Sequence, residues 1–196
     1  MWRALLIILV GLIIPCTATA DIVNFDDLAP GEIVSEINGV SFSSSVSGYG
    51  LNLVVSTGNL TTSMSNYLGV DDSFSDLFLG GDEIYLEFAV PVKSLSVSFI
   101  STANTDEGVY SIETPYATVS NGLADLVFDP EDPFSDEVFV VTVVSDTPFT
   151  TASLISDLGV QSFNIDDIEF QPVPLPGAIW LLASGFGLIA FKKNRR

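Results

Sequence analysis

Ile84-Tyr85-Leu86-Glu87-Phe88-Ala89-Val90, followed by Pro91-Val92 and then Ser94-Leu95-Ser96-Val97-Ser98-Phe99, is the stretch that decides the fold. Ile84, Leu86, Phe88 and Val90 alternate with Tyr85, Glu87 and Ala89. Beyond Pro91-Val92, Leu95, Val97 and Phe99 alternate with Ser94, Ser96 and Ser98. Successive side chains of a strand point to opposite faces, so a period of two with polar partners marks strands buried on one side only. Pro91-Val92 reads as a turn, and the run therefore predicts a hairpin.

Outward from this hairpin, further strands are predicted over 22–25, 40–46, 51–56, 109–113, 117–120, 123–128, 138–144, 150–155 and 160–170, separated by clusters of Gly, Asn, Asp and Pro. No helical stripe of useful length lies outside the termini, and no internal repeat is evident. Residues 56–76, rich in Ser, Thr, Asn and Asp, read as a long loop. Many short strands in a single domain of roughly 150 residues point to an all-β, two-sheet antiparallel sandwich, a jelly roll rather than an immunoglobulin topology. The expected organisation is a signal peptide over 1–20, a β-sandwich over 21–171 and a sorting signal with a transmembrane helix and basic tail over 172–196.

All 25 acidic residues fall within 21–171, where Lys93 is the only base. Such a surface is repelled by phosphate backbones and anionic headgroups, which excludes nucleic acid as a partner. The acids are either simply solvated or hold a divalent cation at one or two places. Asp71, Asp72 and Asp76, and the run from Asp129 to Glu137, read as solvated loops; the latter lacks the spacing of an EF-hand. Asn59-Leu60-Thr61 matches a glycosylation sequon, a pattern that arises often by chance. With no histidine anywhere, the usual general base, triad partner and zinc ligand are missing. A carboxylate pair of the glycosidase type is the one catalytic route left. A chain so rich in acids offers such pairs by composition alone, and the expectation is a protein that is not an enzyme.

The termini carry signals of another kind. Arg3, an apolar stretch over 4–14 and then Ala18-Thr19-Ala20 form a secretory signal peptide with Asp21 as the first mature residue. Cys16 follows Pro15, where a lipobox wants a small residue, so lipid modification is not expected. The only cysteine leaves with the signal, and the mature domain must be held by its core without disulfides. At the other end, Val173-Pro174-Leu175-Pro176 precedes an uncharged segment running to Phe191, closed by Lys192, Lys193, Arg195 and Arg196. The segment falls short of the ~20 apolar residues that span a bilayer unaided. Pro174 and Pro176 suit the start of a helix, Trp180 suits the interface, and the basic cluster would stay in the cytoplasm. On physical grounds a permanent single-pass anchor and a processed tail remain equally open.

This tail resembles the PEP-CTERM class of bacterial sorting signals in its VPLPA-type variant, through Val173, Pro174, Leu175, Pro176, Trp180, Leu181, Ser184, Gly185 and the terminal bases. It departs only at Gly177, where the variant usually has Ala. The resemblance implies processing by an exosortase, alongside signal peptidase, in a Gram-negative bacterium making extracellular polysaccharide. It also implies transient anchoring in the inner membrane, then release to the cell surface or matrix.

A second resemblance lies at the two ends of the domain. Ile22-Val23-Asn24-Phe25-Asp26-Asp27-Leu28 with Pro30-Gly31, Asn38-Gly39-Val40-Ser41-Phe42, and Phe163-Asn164-Ile165-Asp166-Asp167-Ile168-Glu169-Phe170 are similar to the opening and closing strands of exported PEP-CTERM jelly rolls. In sandwiches similar to carbohydrate-binding modules these strands lie side by side near a structural calcium ion. The resemblance thus implies Asp26, Asp27, Asp166 and Asp167 as ligands, since calcium takes six to eight oxygens. Alternatively, Phe163, Ile165, Ile168 and Phe170 point inward while the aspartates face water beside a bulge.

For glycan stacking, both tryptophans, Trp2 and Trp180, lie in the terminal signals. Tyr49 and Tyr67, in Gly/Asn-containing loops, are the candidate contacts, while Tyr85 reads as plain sheet surface. The function expected is an exported structural or adhesive protein, with a calcium-dependent glycan-binding module of the exopolysaccharide as the alternative. In the native host, the mature mass should correspond to a chain that starts at Asp21 and ends near 173–176, only when the exosortase is present. Retention of Arg196 with and without the enzyme would leave a plain membrane-anchored protein.

Overall fold

The computed structural model describes residues 19–58, 66–72, 76–101, 109–121, 137–157 and 162–173. The strand expected at 123–128, nearly all of the acidic run from Asp129, the Asn59 sequon, the signal peptide up to Ala18 and the tail from Pro174 onward lie outside the described residues. Residues Ala20–Pro172 form one compact unit. Among the described residues no helix is long and apolar enough to cross a membrane.

Among the described residues there are eleven strands: β1 (Asp21–Val23), β2 (Glu36–Ile37), β3 (Val40–Ser44), β4 (Leu53–Thr57), β5 (Asn66–Val70), β6 (Phe78–Leu79), β7 (Glu83–Ser101), β8 (Tyr110–Glu113), β9 (Thr118–Ser120), β10 (Glu137–Ser156) and β11 (Ser162–Pro172). A 3₁₀ turn, Ser45–Tyr49, follows β3. The expected hairpin at Pro91-Val92 does not form. Residues 83–101 are one continuous strand of 19 residues, and its partner along both halves is β10, a strand of 20 residues that joins the two strands predicted at 138–144 and 150–155.

The misread turn is a bend. β7 pairs with β10 from Ser101↔Glu137 to Ser94↔Val144, then again from Glu87↔Thr151 to Glu83↔Ile155, with two register shifts between. Pro91, having no N–H to give to a ladder, sits in this irregular part, where proline is tolerated. The shift also changes which positions face inward. Ile84, Leu86 and Phe88 are buried before the bend; Leu95, Val97 and Phe99 are buried after it. The apolar positions change from even to odd numbers across the irregular stretch, which keeps the apolar face in the core on both sides of it.

The strands form one hydrogen-bonded sheet that folds over at this bend, so each half of the ribbon lies in a different layer, described below as two sheets. Before the bend, β7 is flanked by β3 and β10, giving the order β2-β3-β7-β10-β8-β9. After the bend, β11 takes the place of β3 and the order becomes β4-β5-β11-β7-β10, with β1 and β6 also on the outer edge of β11. All of these pairs are antiparallel. The two sheets face one another. Phe99 stacks on Tyr110 with ring centroids 5.0 Å apart, Tyr110 meets Phe163 at 5.8 Å, and Phe88 meets Phe170 at 5.2 Å. The architecture is an all-β antiparallel sandwich sharing one core. The first and last strands lie side by side, Val23 opposite Ile168.

Two local features follow from single residues. Asn38 (φ 51°) and Gly39 (φ 76°) form the two-residue turn between β2 and β3, a left-handed pair whose twist suits a hairpin. β5 overturns the loop expected over 56–76. All five of its residues are buried, so no alternation betrays it, and Gly69 lets the Asp76 backbone come close enough for the Val70 N–H to bond its carbonyl at 3.2 Å. A Cβ at Gly69 would collide with that carbonyl. Gly69→Ala should therefore cost about 1–3 kcal/mol, the usual range for overpacking, and lower the melting temperature. Gly48→Ala, with nothing within 4 Å of the added carbon, should be neutral or slightly stabilising in the same melt.

Candidate functional site

The apolar-in, polar-out pattern leaves the outer face of the β3-β7-β10-β8 sheet open. Register aligns Ser43, Tyr85, Ser153 and Glu113 in one row across the four strands. One step along, Ser41, Glu87 and Thr151 form a second row. Their chain neighbours Phe42, Leu86, Ala152 and Ile112 are buried in the core, which fixes the direction of each outward side chain. The two rows line a groove of about 550 Å³ together with Thr114 and Pro115.

One wall of the groove is a stiff turn. The Thr114 N–H donates to the Ala117 carbonyl at 2.8 Å, and the Thr114 Oγ1 accepts from the Ala117 N–H at 3.0 Å. Tyr85 is 39% exposed, and its hydroxyl donates to Glu83 Oε2 at 2.8 Å, which anchors the far end of the ring. The same bond is the main reason the Tyr85 phenol is held above the ordinary value of 10.0. The surface thus combines an aromatic ring with an available face, exposed carboxylates at Glu87 and Glu113, and hydroxyls that can both donate and accept. Neither lysine nor arginine lines it.

The residues singled out from the sequence are placed elsewhere. Tyr49 is 84% exposed at the end of the 3₁₀ turn but does not line the groove. Tyr67 is only 6% exposed, so it offers no stacking platform; its ring is enclosed because both faces of β5 are covered. The four aspartates do not gather. Among the described residues, no three acidic, histidine or cysteine side chains converge on a metal position.

Asp26 Oδ1 accepts the Asn66 backbone N–H at 3.4 Å, in a junction where Asn66 Nδ2 also donates to the Leu28 carbonyl at 3.0 Å. Asp27 is exposed. Asp166 is fully buried and accepts the Asp167 N–H at 2.9 Å, across the register shift where Asp167 adopts φ 33°. Phe163, Ile165, Ile168 and Phe170 do point inward beside this bulge, but Asp166 is enclosed rather than facing water. Of the sorting motif only Val173 is described; Pro174, Leu175, Pro176, Trp180, Ser184, Gly185 and the terminal bases lie outside the described residues.

No protein-family model and no curated protein matches the chain. Among solved structures, it is similar to the K2 cleaved adhesin domain of Lys-gingipain (TM-score 0.49, 12% identity, 78% of this chain and 97% of that one). It is also similar to the K1 cleaved adhesin domain of Lys-gingipain from Porphyromonas gingivalis W83 (0.46, 9%, 80% and 99%). A third is the carbohydrate-binding module CBM6cm-2 of Cellvibrio mixtus lichenase 5A, solved with cellotriose (0.36, 10%, 79% and 98%). These scores are low, and none of the three assigns a ligand or a residue to this chain.

The placement of Tyr67 has a measurable consequence. Burial first, then the charge of Asp76, pushes its phenol above 10.0, while a hydrogen bond from Asn164 pulls the other way. The neutral phenol is favoured in the fold, so this contribution is intact below the unfolded value near 10 and is lost as pH rises through the higher folded value. Phenolate absorbance should show a late component, accompanied by loss of stability, that shrinks in Tyr67→Phe and leaves the part owed to Tyr85. An unchanged titration curve in that variant would contradict the enclosure of Tyr67.

Proposed function

We propose that this chain is an exported, non-catalytic adhesive domain that holds extracellular glycan in the groove over β3, β7, β10 and β8. The observation that carries the reading is the pair of rows in that groove, Ser43-Tyr85-Ser153-Glu113 and Ser41-Glu87-Thr151. A sugar ring presents C–H bonds on its faces and hydroxyls around its edge. The first suit an aromatic face; the second suit carboxylates and hydroxyls that are already oriented by a sheet. Because the groups stand on strands rather than on mobile loops, little ordering is needed on binding.

Delivery completes the proposal. The signal peptide ending at Ala20 and the tail beginning at Val173 suit export followed by exosortase processing, which would place the domain on the cell surface or in the exopolysaccharide around it. Such a setting supplies the ligand class the groove suits. The sandwich is read as a jelly roll, with β1 and β11 paired at its seam. Calcium is left out of the proposal, because among the described residues no three acidic side chains converge on one position.

Tyr85→Ala should weaken retention of the protein on polysaccharide from its host by about tenfold or more, equivalent to about 1.4 kcal/mol, with the melting temperature unchanged within a few degrees. Tyr49→Ala should bind as the parent does. The reverse pattern, loss at Tyr49 and none at Tyr85, would move the site out of the groove.

A further inference from the structure

The chemistry of the groove restricts the glycan further, granted that the groove binds glycan at all. We infer that it takes a neutral polysaccharide and rejects chains bearing uronate or sulfate. Glu87 and Glu113 are exposed at the groove surface, and an ionised carboxylate can only accept hydrogen bonds. Their partners on the ligand must therefore be donors. Sugar hydroxyls are donors; carboxylate and sulfate groups are not, and they add like-charge repulsion at short range.

The surrounding side chains reinforce the choice. The other polar side chains lining the groove are those of Ser41, Ser43, Tyr85, Thr114, Thr151 and Ser153, none of them cationic. Tyr85 is already donating its proton to Glu83, so a third carboxylate stands at the end of the ring. Lys93, the one base among residues 21–171, lies at the bend of β7 and does not line the groove. A polyanion would meet no counter-charge there. Specificity of this kind comes from repulsion of the wrong partner as much as from attraction of the right one.

The row also sets a minimum length. Four strands at 4.7–4.9 Å spacing extend roughly 14 Å from Ser43 to Glu113, so the two ends of the row are served by a short oligosaccharide segment rather than by one sugar.

The test is affinity electrophoresis of the full-length chain through gels containing dextran, laminarin, hydroxyethylcellulose or glucomannan, against alginate or polygalacturonate, and against the host's own exopolysaccharide. Ionic strength is held near 0.15 M, so that remote charges are screened and those at the groove still count. At least one neutral glycan should bind ten times more tightly than either polyanion. Glu87→Lys combined with Glu113→Lys should shift that ratio toward the polyanions, and Tyr85→Ala should lose the neutral ligand while melting as the parent does.

Binding to alginate or polygalacturonate that matches the neutral glycans, and that Tyr85→Ala removes, would overturn the neutral class and leave the glycan reading standing. Neutral binding that survives both Tyr85→Ala and Glu87→Gln would remove the groove from the account. No retardation by any of the polysaccharides would overturn the glycan reading, and this inference with it.

Discussion

Continuous pairing of β7 with β10 is the constraint on which the rest of the domain depends. Two strands of 19 and 20 residues run together through a bend at Val92, and each half serves a different sheet. On one side of the bend β3 flanks β7; on the other, β11 does. The sandwich is therefore closed along one corner by backbone hydrogen bonds, in a domain that has no cysteine over residues 21–171 to staple it. The register shift at the bend is what makes this possible. Without it, Ser94, Ser96 and Ser98 would turn into the core and Leu95, Val97 and Phe99 out to solvent. With it, Phe99 reaches Tyr110 across the interface between layers and packs beside Phe163 of the neighbouring strand.

The groove is a by-product of the same ribbon. Burying Ile84 and Leu86 obliges Tyr85 and Glu87 to face outward, and register then sets Ser43, Ser153, Glu113, Ser41 and Thr151 beside them. Apart from the wall formed by the turn at Thr114 and Pro115, the strands themselves create it. The price of so many carboxylates is self-repulsion, which is eased among the described residues by exposing most of them to water, which screens them. Among the described residues the one buried carboxylate, Asp166, accepts the N–H of Asp167.

Much of the strand content could be read from alternation, because β3, β7, β8, β10 and β11 each bury one face and expose the other over at least part of their length. Alternation is silent on what happens between two such runs. Pro91-Val92 looks like a turn because proline ends ladders, yet in a bulge the missing N–H costs nothing and the strand continues. β5 was illegible for the opposite reason: Asn66-Tyr67-Leu68-Gly69-Val70 is covered on both faces, so polar and apolar residues are buried alike. The site was less legible than the fold. Tyr85 obeys the outward phase of its strand and looks like any surface residue. Its significance lies in Ser43, Glu113 and Ser153, which are remote in the chain and adjacent only through register. Tyr49 and Tyr67 stand out instead because Gly and Asn lie close to them in the chain, a local signal that tells nothing about enclosure.

The central claim is that the outer face of the β3-β7-β10-β8 sheet holds the ligand. The most direct measurement is a crystal structure of the protein with a neutral oligosaccharide cut from a polysaccharide it retains. The account predicts sugar density across the strands, with one ring against the face of Tyr85 and hydroxyls on Glu87 and Glu113. Density at the ends of the sandwich, over Tyr49 or beside the β1–β11 seam, with the groove holding only water, would contradict it.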